Sequence, residues 1–113
     1  MQPAFTPLSP AIGVEVTGVD LSQPVSSRTA AALEAALIKY LVMVVCDQHL
    51  TPSQLLNAIG ALGEIMPQHL KALRMLEHPD IVVLDSRNMK VGGDGKFVPI
   101  GARDWHTDHA HQE

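Results

Sequence analysis

The stretch "AIGVEVTGVDL" alternates in character: Ile12, Val14, Val16 and then Val19 are apolar, while Glu15 and Thr17 fall between them. A period of two predicts a half-buried strand, with Gly13 and Gly18 at bends or close backbone approaches. "SQPVSS" supplies turn residues. From about Arg28 to Leu41 the apolar positions Leu33, Leu37, Tyr40 and Leu41 follow helical spacing, and Ser26 or Ser27 stands where a cap is needed. "LVMVVC" is short, unbroken and β-branched, which predicts a strand buried on both faces.

A second helix is written more explicitly. Thr51 can cap it, Pro52 suits its first position, and Gln54 lies three residues after Thr51, as a capping box requires. Leu55, Ile59 and Leu62 share one face, and Gly63 is a natural stop. "EIMPQHLKALRMLEHPD" has room for one helical turn, and "IVVLDS" predicts a second buried strand. "VGGDGKF" is a glycine-rich loop or hairpin tip. It is not a phosphate-cradling loop, because no Lys-Ser or Lys-Thr pair opens a helix after it. No internal repeat or low-complexity segment is present.

The order is strand, helix, strand, helix, strand, loop, and then a histidine cluster: an α+β arrangement within one domain, residues 1–113. The last candidate strand carries that cluster, and nothing follows that could pair with it or cover it. The expectation is an N-terminal part of something longer, truncated as it stands.

Composition narrows the possibilities. Hydrophobic residues make up 46% of the 113, enough for a core, and with only Phe5, Tyr40, Phe97 and Trp105 as aromatics that core is aliphatic. Eight basic residues against twelve acidic ones leave a net charge of −4 and no basic run, so nucleic acid is not an expected partner. Cys46 is the single cysteine and can form no intrachain disulfide, which fits a reducing compartment. The opening "MQPAFTPLSP" lacks the basic start and apolar run of a secretory signal. Glu34 and Lys39 interrupt the longest apolar stretch too early for a membrane span. A soluble, cytoplasmic protein is the expectation.

The chemistry concentrates at the end, in "WHTDHAHQE". Residues two apart on a strand project to one side of a sheet, so an extended "WHTDH" points His106 and Asp108 together and Thr107 away. An imidazole and a carboxylate on one face supply two of the three ligands of a 2-His-1-carboxylate triad, which leaves iron(II) positions open for cosubstrate and oxygen. Imidazole binds metal neutral and carboxylate binds ionised, the states these side-chain types hold at neutral pH. Trp105 beside them could pack dry and rigid against the site. His109 and His111 are also two apart but out of phase with the first pair, so they are expected to face solvent or to lie behind the ligands. A zinc site built from all four residues needs the end to fold back as a loop. Spacing alone favours a solvated polar terminus over any of these.

Four segments read together change that balance. "LSPAIGVEVTGVDLSQP", "DQHLTPSQLLNAIGALGEI", "HPDIVVLDS" and "WHTDH" stand in the order found in the taurine dioxygenase-like family of iron(II)- and 2-oxoglutarate-dependent oxygenases, which the chain resembles over nearly its whole length. The resemblance implies the N-terminal portion of a double-stranded β-helix, or jelly roll, with flanking helices. It makes His106 and Asp108 the first two iron ligands. His69, in "MPQHL", lies where relatives often place a histidine near the substrate; the competing reading is a surface or core histidine. Val45-Cys46 stands where the family commonly has an aromatic residue and arginine.

The implied cofactors are iron(II), 2-oxoglutarate as cosubstrate, and molecular oxygen. The implied reaction hydroxylates a small, anionic organic substrate with release of succinate and carbon dioxide, in a full-length protein expected to be a homo-oligomer. The family's second histidine ligand and its 2-oxoglutarate-binding arginine come later in the chain, and nothing here stands for either. The expectation is therefore an inactive 113-residue chain. The alternative is a truncated or degenerate relative acting as a non-catalytic binding or interaction module.

Overall fold

A computed structural model describes residues 2–68, 71–85, 90–91, 97–98 and 105–107. The chain divides into two compact units, Met1–Pro67 and Gln68–Glu113.

In the first unit, β1 (Ala4–Pro7), β2 (Val14–Thr17) and β3 (Met43–Val45) form one sheet in the order β1-β2-β3. The β1–β2 pair is an antiparallel hairpin, with Phe5 opposite Val16 and Pro7 opposite Val14. The β2–β3 pair is parallel, with Val14 beside Met43 and Val16 beside Val45, so its connection must cross over the sheet. That crossover is α1 (Ser27–Tyr40). The predicted alternation holds within β2, where Val14 and Val16 are fully buried, but Ile12 lies in the turn before the strand and is 45% exposed; Leu33 and Ala36 are the buried residues of α1. The small core is this contact between one helix and one sheet face.

Local chemistry fixes the ends of α1. The Ser26 hydroxyl accepts the Thr29 backbone N–H, and the chain leaves the helix at Leu41, which adopts a left-handed backbone (φ 70°) while its N–H still reaches the Leu37 carbonyl. Leu41 is therefore a helix terminator, not the core-facing helical residue its spacing predicted, and it is 66% exposed. The strand after it also differs from expectation. β3 is half-buried: Val44 shares with Glu15 the face opposite Val14 and Val16, and it is 41% exposed. A continuous apolar run reads as doubly covered, but only one face of this sheet carries α1.

Two features were not legible beforehand. β1 was not expected as a strand at all. Its hairpin is closed by a turn in which the Ser9 hydroxyl accepts the Ile12 N–H, Leu8 N–H reaches the Gly13 carbonyl, and Gly13 takes φ +98°. Beyond the paired residues, β2 and β3 are tied by a side chain. Gln48 Oε1 accepts the Leu21 N–H at 2.8 Å, while its Nε2 donates to the carbonyls of Val19 at 2.9 Å and Cys46 at 3.0 Å. One amide thus satisfies three backbone groups where the ladder ends.

The second helix, α2 (Pro52–Gly60), begins as its sequence predicts. Thr51 Oγ1 accepts the Gln54 N–H and Gln54 Oε1 accepts the Thr51 N–H, with Pro52 at the first position. It ends earlier than expected, at Gly60 with Ala61 as a right-handed cap, three residues before Gly63. Ala58 is its buried residue, and Leu55 and Ile59 on the expected apolar face remain substantially exposed.

In the second unit, a 3-10 turn at Lys71–Leu73 is the expected helical turn. "IVVLDS" does not form the predicted buried strand. Val82 makes a single antiparallel bridge to Arg74, flanked by bonds from Met75 N–H to the Ile81 carbonyl and from Val83 N–H to the Leu73 carbonyl, and Leu84 is 60% exposed. The apolar run identified a paired segment, but one bridge covers neither face. β4 (Lys90–Val91) and β5 (Phe97–Val98) pair antiparallel, with Val91 opposite Phe97, which makes "VGGDGKF" a hairpin; its tip, residues 92–96, lies outside the described residues. The described elements are thus α+β: a small mixed sheet with two α-helices in one unit and a hairpin in the other.

Candidate metal centre

Of the residues singled out for chemistry, His106 is among those described. Asp108, His109, His111 and His69 lie outside them. Trp105, His106 and Thr107 belong to no strand, and all three are exposed. These three residues join no sheet, and the expectation that His106 and Asp108 share one face of an extended segment falls on Asp108, which lies outside the described residues. Trp105 is fully exposed and does not form the dry wall expected beside the site. Among the described residues no group of three histidine, cysteine, aspartate or glutamate side chains is placed to hold a metal ion.

His106 offers an imidazole nitrogen on an exposed segment, and Asp108 two positions on offers a carboxylate, a donor pair suited to iron(II) with open coordination positions. These residue types fit two positions of a 2-His-1-carboxylate set.

The other ionisable groups of interest lie in the first unit. Asp20 accepts the Ser22 hydroxyl and the Ser22 N–H at 3.0 Å, and these bonds hold its carboxyl below the ordinary range. It lines a cleft of about 220 Å³ with Gly18, Val19, Gln23 to Ser26 and Thr29, a set without histidine or a second carboxylate. Cys46 is exposed, and its thiol is held above the usual range by desolvation first, then by the charge and hydrogen bond of Glu15 and the charge of Asp47. A thiol kept protonated is a poor metal ligand. Neither group competes with the His106 segment as a metal site. The structural use of Gln48 has no signature in the sequence, because no spacing rule indicates three backbone partners for one side chain.

Comparison with known proteins bears on the same segment. The family model described as "Taurine catabolism dioxygenase TauD, TfdA family" matches residues 4–113, a span that includes "WHTDH". A Burkholderia xenovorans protein assigned as an alpha-ketoglutarate-dependent taurine dioxygenase is 36% identical with a TM-score of 0.65, over 69% of this chain and 28% of that one. A taurine dioxygenase from Burkholderia xenovorans is 30% identical with a TM-score of 0.65, over 70% of this chain and 28% of that one. AAD-2, solved with Mn(II) and N-oxalylglycine, is 31% identical with a TM-score of 0.55, over 57% of this chain and 25% of that one. The matched part of the chain thus spans roughly a quarter of the length of these solved structures. No helix among the described residues is long and apolar enough to cross a membrane. With residues 4–113 of its 113 matched by the family model, the chain belongs to the taurine catabolism dioxygenase TauD, TfdA family.

Proposed function

We propose that this chain is part of an iron(II)- and 2-oxoglutarate-dependent dioxygenase with a jelly-roll fold, and that His106 and Asp108 are two of the protein ligands to its iron. The observation that carries the reading is the family match through residue 113, which takes in a His-x-Asp pair of the right donor chemistry. When iron(II), 2-oxoglutarate and oxygen are bound, the chemistry they supply is hydroxylation of a substrate carbon coupled to release of succinate and carbon dioxide. The chain's own residues bind and orient. The His106 imidazole would hold the metal through a ring nitrogen, and the Asp108 carboxylate would add a donor and offset part of the metal's charge.

The substrate is proposed to be small, organic and anionic, on the strength of two neighbours named as taurine dioxygenases, since taurine is a small sulfonate. His69 is proposed as a residue near the substrate, by its place in the family resemblance. A cytoplasmic location is proposed because a single exposed cysteine, with no partner in this sequence for an intrachain disulfide, suits a reducing compartment. The comparisons give no support to a non-catalytic module.

Metal binding can be tested apart from turnover. Mn(II), which is stable in air and occupies the AAD-2 structure, is titrated into the 113-residue chain and followed by loss of the free-ion electron paramagnetic resonance signal. The expected result is weak binding, reduced at least tenfold by His106→Ala or Asp108→Ala and little changed by His111→Ala. Succinate release by this chain is expected to stay at background, because two ligands do not fix the cosubstrate. Binding that survives loss of His106 but disappears with His111 would overturn the assignment.

A further inference from the structure

We draw no further inference here: the strongest candidate, the exposed apolar side chains of Leu37, Ile38 and Leu41 at the C-terminal end of α1, is an unpartnered patch, and nothing in the structure shows what covers it.

Discussion

The Gln48 amide can be tested by two substitutions that fail in different ways. Gln48→Ala deletes all three of its hydrogen bonds. Two of them, to Leu21 N–H and the Val19 carbonyl, are part-buried, and the third, to the Cys46 carbonyl, is exposed. A net intramolecular bond contributes about 1 kcal/mol where its partners are shielded and little where water replaces it, so the expected loss is about 2 kcal/mol. At 1.4 kcal/mol per factor of ten, that is roughly a thirtyfold faster exchange of the Leu21 amide when exchange is limited by local opening.

Gln48→Glu keeps the acceptor for Leu21 but offers two carbonyl oxygens a negative charge instead of an N–H. At neutral pH it should cost at least as much as the alanine. The introduced carboxyl is favoured in its neutral form by those carbonyls, so its folded pKa lies above its unfolded one. The stability of this variant should then rise as pH falls through that folded value, where a protonated oxygen can again donate. The assay is hydrogen exchange at Leu21 by NMR, with urea midpoints as a second reading. Exchange in Gln48→Ala within threefold of the parent, or a Gln48→Glu variant as protected as the parent at neutral pH, would refute the claim that this amide joins the two strand ends.

Three further outcomes concern the backbone and the Asp20 turn. Leu41→Gly should stabilise the first unit by about 0.5–1 kcal/mol, the relief of a left-handed leucine less glycine's added chain entropy, seen as a higher urea midpoint. Gly18→Ala should destabilise by about 1–3 kcal/mol, because a methyl group would sit 2.8 Å from the Gln2 carbonyl oxygen on a backbone at φ +78°; an unchanged midpoint would mean that the β1 entry moves freely. Ser22→Ala should raise the Asp20 pKa toward the ordinary carboxylate value, read from side-chain carboxyl shifts. The folded Asp20 pKa is lowered, so its contribution is present above the ordinary carboxylate pKa and is lost as pH falls through the lowered value. Ser22→Ala should weaken that acid sensitivity.

What could be read in advance was what depends on a few neighbouring residues. The Thr51–Gln54 capping box needs only four positions, and it forms as written. Val14 and Val16 announced their burial because a two-residue period commits alternate side chains to one face. β1 was missed for the opposite reason. Ala4, Phe5 and Thr6 between two prolines carry little strand signal, and they become a strand by pairing with β2. β3 and the "IVVLDS" segment show the limit of apolar runs. The run reveals affinity for a sheet, while the number of covered faces depends on what the remaining chain lays over them. Gly63 was a plausible stop, yet the helix had already ended at Gly60. At the candidate metal centre, residue type and spacing indicated donors, but spacing presumed a strand that Trp105 to Thr107 do not join.

The parallel register of β2 and β3 has a kinetic consequence. Pro7 meets Val14 across seven positions of chain, whereas Val14 meets Met43 across twenty-nine. Two doublings of loop length add about 1.2 kcal/mol of closure entropy if the intervening chain is a flexible coil. It need not be one. Winding fourteen residues into α1 contracts them to about 21 Å and stiffens them, so the crossover is shortened before it closes. The hairpin can therefore assemble on its own, while β3 must wait for the helix. Substitutions that weaken α1 at its exposed positions should then slow folding more than they speed unfolding, and equivalent losses in β3 should do the reverse.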